Sequence, residues 1–216
     1  MLNPLKGKKI LITAGPTWVP IDDVRVISNV SSGELGLLLA KNALKYGADI
    51  DLLLGPVSRP VPLDKKIRIT RFTYFDELHD KVVLALKSNK YDVILHCAAV
   101  SDYLPRAVRG KISSEQGQLV LRLDRAPKIV DDIRRLAPEA FLVMFKLEGN
   151  VTDAVLLKRA LEAMKRVGAD LVIANRFINK KYRGFILGTD NILARTVSKP
   201  ELAGKLFKAL QEKLSR

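Results

Sequence analysis

The chain is poor in cysteine and aromatic residues, and it lacks long apolar runs. Its single cysteine, Cys97, cannot form a disulfide within one chain, and its apolar neighbours predict a buried, unreactive thiol. No apolar run approaches the roughly 20 residues of a membrane-spanning helix. The first residues also lack the apolar core of a signal peptide. These absences exclude a membrane-spanning protein, and we expect a cytoplasmic globular one.

Acidic residues are scarce relative to basic ones. The 216 residues include 37 Lys and Arg against 23 Asp and Glu, which leaves a formal net charge of +14. Such a surplus indicates an anionic partner, and nucleic acid is the general candidate. The cations, however, are spread along the whole chain, and aromatic residues make up only 6% of it. A phosphorylated small molecule therefore fits the charge equally well.

Apolar strand-like runs alternate with amphipathic helical segments along most of the chain. The first run, 8–13, ends in turn-forming residues, and a helical repeat follows over 33–46, with Ser31 or Ser32 as its N-cap and Gly47 as its terminator. This alternation predicts one α/β domain over residues 1–216, a doubly wound, mainly parallel Rossmann-like sheet that follows a linker-like segment at 1–7. Further strands are predicted at 49–54, 92–98, 140–146 and 170–175, and helices at 76–88, 126–136, 152–167 and 200–214.

One stretch, residues 103–124, interrupts this rhythm. It contains Pro105, Gly110 and Gly117, and then apolar residues alternate with polar ones over 118–123. We interpret the stretch as a loop followed by a half-exposed strand. Such an insertion is either a flap over the site or an arm that pairs with another subunit.

Ligands of open parallel sheets bind where the strands end, and two strand ends carry unusual residues here. The first strand is followed by Gly15 and a long polar segment with Arg25 and Asn29, before a helix whose first amides can bind an anion. A later buried strand is followed by small residues and by Asp102, which can accept from a flat ligand. The alternative interpretation of the polar segment is an elaborate N-cap for the helix, and that of Asp102 is an ordinary turn aspartate. Lys111 in the insertion is, taken alone, a solvated surface charge.

A nicotinamide-dependent reductase is the first enzyme class that a strand, a glycine turn and a helix suggest. Gly15 and Gly33 stand eighteen residues apart, in place of a compact Gly-x-Gly-x-x-Gly turn. The second strand ends in Leu-Leu-Gly-Pro, without the acidic residue that binds a ribose. No tyrosine in the sequence has a lysine four residues further on. These observations disfavour a reductase.

Several motifs resemble one enzyme family. The strings GPTWVPIDDVRVISNVSSGELG at 15–36, CAAVSDYLP at 97–105, APKIV at 126–130 and FKLE at 145–148, with Lys111, are similar to phosphopantothenoylcysteine synthetase, the phosphopantothenate-cysteine ligase. This enzyme forms the second half of the bifunctional coenzyme A biosynthesis flavoprotein. The resemblance covers nearly the whole chain. It implies that 4'-phosphopantothenate is joined to L-cysteine through an acyl-cytidylate. CTP is the co-substrate and carries Mg²⁺ on its triphosphate, and CMP and pyrophosphate are released.

The resemblance also implies roles for individual residues. Asn29, Lys111 and Arg25 match catalytic positions, and Arg25, Asn29 and Ala99 match positions that bind the substrate. No protein-only metal site is implied. The family further implies a homodimer formed through the insertion, and a fused or separate decarboxylase as partner, with no nucleic acid or membrane. Positions that match nucleotide contacts are Gly15, Ser31, Ser32, Gly33, Ala98, Ala99, Val100, Asp102, Lys111, Ala126, Pro127, Lys128, Ile129 and Phe145.

Some positions depart from the family pattern. Ala126 and Lys128 replace the usual Asn and Asp, the insertion keeps only the first lysine of a lysine-rich flap, and Ala163 and Val167 stand where some members have nucleotide-binding lysines. The choice between CTP and ATP therefore stays open, as does a non-catalytic relative that binds nucleotides or nucleic acid. Cations that are able to replace the missing lysines are Lys158, Arg159, Lys165 and Arg166.

Overall fold

The computed structural model describes residues 3–57, 64–106, 108–115, 117–179 and 181–215. Strands and helices follow one another along these residues. The strands are β1 (Lys9–Ala14), β2 (Trp18–Pro20), β3 (Val26–Ser28), β4 (Asp49–Leu54), β5 (Ile67–Arg71), β6 (Val93–His96), β7 (Tyr103–Pro105), β8 (Leu123–Arg125), β9 (Phe141–Glu148), β10 (Leu171–Ile178), β11 (Lys181–Leu187) and β12 (Ile192–Thr196). The helices are α1 (Glu34–Lys45), α2 (Phe75–Ser88), α3 (Ile129–Leu136), α4 (Asp153–Val167) and α5 (Lys199–Leu214).

The central sheet has eight strands in the order β12-β11-β10-β9-β6-β1-β4-β5. The strands from β5 to β10 in this order pair in parallel, and β11 and β12 are antiparallel additions at one edge. The chain moves outward from β1 through β4 to β5, and then returns to β6 on the other side of β1. The sheet therefore has a switch point between β1 and β6, which confirms the predicted doubly wound, mainly parallel α/β fold.

Both faces of the sheet are covered, which explains why its central strands are apolar at nearly every position. Ile10 and Ile12 of β1 belong to the core cluster under α1 and α5. Leu11 of the same strand belongs to the opposite cluster, which includes residues of α2, α3 and α4. All three side chains are fully buried. Among the described residues, no helix has the length and apolar character needed to cross a bilayer.

The N-terminus of α1 differs from the prediction. The N-cap is Gly33, in the left-handed region at φ 71°, rather than a serine. The two serines before it accept from amides at the helix start, Ser31 from Gly33 and Ser32 from Glu34, both at 3.4 Å. A Cβ at Gly33 would come within 2.6 Å of the Cγ1 of Val57, so a glycine is required there by both space and conformation. Gly47 follows the helix at φ 72°, as predicted.

The start of the chain also differs from the linker-like segment that the sequence suggests. Leu5 is fully buried in the cluster under α1 and α5. The Asn3 side chain donates to the carbonyl of Tyr46 at 2.7 Å, and the amide of Gly7 donates to the carbonyl of Gly47 at 2.9 Å. The described residues from Asn3 onward therefore pack against the end of α1, because Leu5 has a place in the core.

The insertion forms a two-stranded antiparallel ribbon of β7 and β8. The prediction of a strand over 118–123 is wrong, because pairing with β7 begins only at Leu123. In the described part of the single chain, residues 117–122 have no assigned strand partner, although their apolar residues alternate. We call residues 106–122, between β7 and β8, the flap.

Candidate active site

The carboxyl ends of β1 and β6 meet in a continuous backbone junction. The amide of Ala99 donates to the carbonyl of Gly15 at 2.9 Å, and the amide of Thr17 donates to the carbonyl of Ala99 at 3.3 Å. Gly15 has φ +85°, and a Cβ there would lie 3.2 Å from the backbone of Gly55. Residues without bulky side chains thus line this end of the sheet, which allows a flat ligand to approach the backbone.

Two buried hydroxyl groups fasten the junction, and the sequence interpretation did not single them out. The Oγ1 of Thr17 accepts from the amide of Ser101 at 3.0 Å and lies 3.1 Å from the Oγ of Ser101. Thr17 is fully buried and Ser101 is 7% exposed. Thr17 and Ser101 each lie two residues after a small residue at the end of a strand, Gly15 and Ala99, which is a weak signal in the sequence. Only the topology of the sheet shows that the two hydroxyl groups meet.

Asn29 reaches this junction from the polar segment after β1. That segment folds into the β2–β3 hairpin, in which Trp18 pairs with Ser28. The Nδ2 of Asn29 donates to the carbonyl of Ala99 at 3.2 Å and to that of Val100 at 3.0 Å. The hairpin therefore places the Asn29 amide at the switch point.

The N-terminus of α1 points the first amides of the helix toward the same end of the sheet. The amide of Glu34 donates to the Oγ of Ser32 at 3.4 Å, and Gly33 has no side chain to occupy the amides that follow, so these offer a partial positive charge to an anion. Glu34 in the first turn opposes this charge, but its carboxylate pairs with Lys199 at 2.6 Å. Lys199 begins α5, so the second helix on this face offsets the acidic group.

Asp102 and Lys128 form an ion pair at the mouth of the site. The amide of Ala126 donates to the carbonyl of Asp102 at 2.9 Å, which holds the start of α3 next to the turn after β6. Both charged side chains are about half exposed or more, whereas Ala126 and Ile129 are buried. Predicted nucleotide-binding residues from the two segments are thus in direct contact.

The flap rests on the turn that carries Arg25. The Arg25 guanidinium donates to the carbonyl of Ile112 at 2.5 Å and pairs with the carboxylate of Asp22 at 2.7 Å. Lys111, the residue before Ile112, is exposed. The structure therefore brings the chain position of Lys111 next to that of Arg25, although the two are distant in sequence. The Arg25 side chain contacts the flap directly, a role that the sequence did not predict.

Two titratable residues end β6, and burial dominates both. Burial lowers the pKa of His96 to about 4, so the ring is neutral at pH 7. Thr13 Oγ1 accepts from the amide of Ala98 and forms a hydrogen bond of 3.0 Å with Nδ1 of His96. Burial raises the pKa of Cys97 to about 12, with Lys199 acting against it. Cys97 is thus a thiol at neutral pH, although its side chain is half-buried rather than fully buried as its apolar surroundings predict.

Other predicted residues lie further from the junction or point elsewhere. Phe145 is half-buried on β9, one residue beyond the last pair between β6 and β9. On α4, Arg159 pairs with Glu148 at 3.1 Å and Arg166 pairs with Asp131 at 2.9 Å. Two of the four candidate cations of α4 are therefore already neutralised by carboxylates. The other two, Lys158 and Lys165, are exposed.

The described residues contain no group of three or more His, Cys, Asp or Glu side chains with the geometry to hold a metal ion. The junction instead offers backbone groups, an amide, a carboxylate and cations. Such a set suits a polyanionic nucleotide that brings its own metal ion.

Comparison with known proteins places the chain in a family. The family model for the DNA/pantothenate metabolism flavoprotein C-terminal domain matches residues 5–212. The coenzyme A biosynthesis bifunctional protein CoaBC of Thermococcus kodakarensis is 35% identical over 97% of this chain and 52% of its own length. The CoaBC of Methanocaldococcus jannaschii is 34% identical over 84% of this chain and 44% of its length. The chain thus spans about half the length of these curated relatives.

A solved structure agrees with this assignment. The DNA/pantothenate metabolism flavoprotein of Streptococcus pneumoniae superimposes with a TM-score of 0.84 at 28% identity, covering 96% of this chain and all of the other. With the switch-point site and the match over residues 5–212, the chain belongs to the family of the DNA/pantothenate metabolism flavoprotein C-terminal domain.

Proposed function

We propose that this chain is a phosphopantothenate-cysteine ligase of coenzyme A biosynthesis. In this reaction the carboxylate of 4'-phosphopantothenate attacks the α-phosphate of CTP, which releases pyrophosphate and gives an acyl-cytidylate. The amine of L-cysteine then displaces CMP and forms the amide. The observation that carries the proposal is the meeting of Asn29, Ala99 and the N-terminus of α1 at the switch point, in a chain of this family.

The first step joins two anions and therefore requires fixed positive charge. The amides at the start of α1 and the exposed Lys111 supply it on this chain, and Mg²⁺ enters with the triphosphate. The small residues at Ala98 and Ala99 leave the backbone of β6 accessible to the base. Asp102, more than half exposed, is placed to accept from the nucleotide when the ligand separates it from Lys128. These features support nucleotide binding at the junction.

The second step builds negative charge on the acyl oxygen as the cysteine amine attacks. The Asn29 amide is the donor that we assign to this oxygen, in exchange for its present contacts with the carbonyls of Ala99 and Val100. Removing one such donor typically lowers the rate about 10²–10³-fold. Arg25 lies beside the flap and is assigned to the phosphopantothenate.

The proposal is tested by incubating the full chain with phosphopantothenate, cysteine, Mg²⁺ and each of the four nucleoside triphosphates in turn. We expect CMP and pyrophosphate with CTP. Release of AMP in preference to CMP would overturn the nucleotide assignment, and formation of CDP and phosphate would overturn the nucleotidyl intermediate. No turnover with any nucleotide, combined with steeply salt-dependent oligonucleotide binding, would favour a non-catalytic relative.

Two variants separate the steps. Without cysteine, the first step should give a burst of pyrophosphate, and we expect Lys111→Gln to lower this burst. We expect Asn29→Ala to lower amide formation and to leave the pyrophosphate burst unchanged. Arg122→Gln is the matched control for the lysine, because it removes another exposed cation of the flap. Equal pyrophosphate bursts from wild type and Lys111→Gln would contradict this division of roles.

We also propose that two copies of the chain associate through the flap. Leu119, Val120, Leu121 and Leu123 are 42%, 73%, 36% and 44% exposed, and they form an apolar stretch next to the open ribbon of β7 and β8. A second copy of the same stretch provides the missing strand partner. Sedimentation should give a dimer for the wild type and a monomer for Leu121→Lys. A monomeric wild type at micromolar concentration would contradict the proposal.

The curated CoaBC relatives are named as bifunctional, and this chain matches about half of each. We therefore propose that the ligase acts together with a decarboxylase, which is either fused to this chain or a separate protein. To test whether this chain alone has decarboxylase activity, it is incubated with the ligase product and the release of carbon dioxide is measured.

A further inference from the structure

Asp22 carries a carboxylate that is fully buried between the Arg25 turn and the flap. On its own side it accepts from the amides of Val24 at 2.9 Å and Arg25 at 2.8 Å. On the flap side it accepts from the amide of Ile112 at 3.1 Å. The Nε of Arg25 donates to the same carboxylate at 2.9 Å. One side chain thus joins two segments that lie ninety residues apart in the chain.

Neighbouring contacts strengthen this junction. The amide of Gly110 donates to the Asp23 carboxylate at 2.9 Å, and the amide of Asp23 donates to the carbonyl of Gly110 at 3.3 Å. The amide of Val108 donates to the carbonyl of Ile21 at 3.1 Å. We call residues 108–112 the flap anchor. It is held along its length, from Val108 to Ile112.

The rest of the flap is held differently. Residues 113–115 and 117–122 are exposed throughout, and in this described part the amide of Glu115 donates to the side chain of Ser113, a contact within the flap itself. Lys111 therefore lies inside the fixed part of the flap, with Gly110 and Ile112 bound on either side. Its ammonium group is exposed, but its backbone position is set by the anchor.

The ionisation of Asp22 agrees with this geometry. Burial acts to raise the pKa of the carboxyl, but the amides of Val24, Ile112 and Arg25 and the Arg25 guanidinium outweigh it and lower the pKa below its ordinary value. The carboxylate therefore stays charged throughout the neutral pH range.

We propose that Asp22 is a positioning residue, which fixes the flap anchor on the Arg25 turn and so places Lys111 for nucleotide activation. The catalytic consequence rests on the proposed ligase function, whereas the anchoring itself does not. An Asp22 variant should release the anchor and leave the core of the sheet unchanged. The substrate-binding groups on the junction, including Asn29, should keep their places.

Limited trypsin digestion of the full-length protein tests the anchoring without any substrate. In wild type the anchor should protect the bonds after Arg109 and Lys111, whereas the bond after Arg122 lies in the exposed part of the flap. We expect Asp22→Ala to accelerate cleavage after Arg109 and Lys111 at least 10-fold, measured by mass spectrometry, with cleavage after Arg122 changed less than twofold. Asp124→Ala is the matched control, because it removes an exposed flap-base carboxylate that pairs with Arg106.

Two outcomes would overturn the anchoring. Cleavage after Arg109 and Lys111 at the wild-type rate would show that Asp22 does not hold the flap. Equal acceleration at all three bonds would show a general loosening of the chain rather than loss of one anchor. If Asp22→Ala does not fold, Asp22→Asn serves instead, since it keeps the volume and replaces one acceptor oxygen by a donor that faces other donors.

The kinetic arm tests the positioning of Lys111. We expect Asp22→Asn to lower kcat for pyrophosphate formation at least 10-fold, and to add little when combined with Lys111→Gln. A normal kcat in a variant whose anchor is open would overturn the positioning role. If wild type releases no pyrophosphate, the ligase proposal fails, and the trypsin result still decides whether Asp22 anchors the flap.

Discussion

The buried imidazole of His96 makes the stability of the protein depend on pH in a way that one substitution should remove. Burial lowers the pKa of His96 from 6.5 to about 4 in the folded state. Between about pH 6.5 and pH 4, His96 is therefore protonated in the unfolded chain but neutral in the folded one. The free energy of unfolding falls as the pH drops through this range. From these two values, the loss between pH 7 and pH 5 is about 2 kcal/mol.

The assay compares wild type with His96→Asn by urea unfolding at pH 7, 6 and 5. The introduced side-chain amide can donate to or accept from the Thr13 hydroxyl, and the small cavity that the substitution leaves lowers stability equally at every pH. Titration of carboxyl groups is common to both proteins and cancels in the difference. We expect the stability of wild type relative to the variant to fall by about 2 kcal/mol between pH 7 and pH 5. A difference that stays constant over this range would refute the argument.

Three further substitutions or reactions follow from the contacts. Gly36→Ala places a Cβ 2.3 Å from that of Ala14 and should lower the free energy of unfolding by about 1–3 kcal/mol, which thermal unfolding against Gly204→Ala on α5 would measure. With a pKa of about 12, Cys97 should react with iodoacetamide at pH 8 about 10³ times more slowly than an ordinary thiol, and an ordinary rate would contradict the raised pKa. Lys128→Ala should change stability by less than about 1 kcal/mol, because its ion pair with Asp102 is exposed, and a larger loss in urea unfolding would argue against this.

The central sheet could be predicted from the sequence because its strands are buried on both faces. The apolar runs of β1, β4, β6, β9 and β10 leave few other interpretations. The edge strands were missed for the converse reason. β5 reads Ile-Arg-Ile-Thr-Arg and is mostly exposed, and β12 is half exposed, so neither produces an apolar run. Their strand form depends on pairing with a neighbour that is already in place, which periodicity does not reveal.

The placement of the candidate site residues could be predicted in part, from the strand ends and the resemblance. Asn29 and Asp102 were identified as site residues, and their positions at the switch point follow from the topology. Asp22 was not identified, because an aspartate in a polar turn has many roles in sequence and only its contact with Ile112 distinguishes this one. The N-cap was assigned to a serine because serine prefers that position. In the structure the N-cap is Gly33, where a Cβ would clash with Val57. This contact between distant segments is a tertiary effect that the local sequence does not reveal.

Many of the basic side chains are paired with carboxylates on the outer strands and helices, away from the junction. Arg159 and Arg166 of α4 are bound to carboxylates, and Arg176 and Arg183 are both bound to Asp153, at 2.7 and 2.6 Å. These cations stabilise the outer strands and helices, so they contribute to the net charge without being directed at a ligand. Lys111 and Lys128, from the flap and from the start of α3, are two of the cations near the junction. For the proposed ligase, we expect the affinity for the triphosphate to respond to Lys111, and to Lys128 once the ligand has separated it from Asp102, more than to Arg159 and Arg166 of α4.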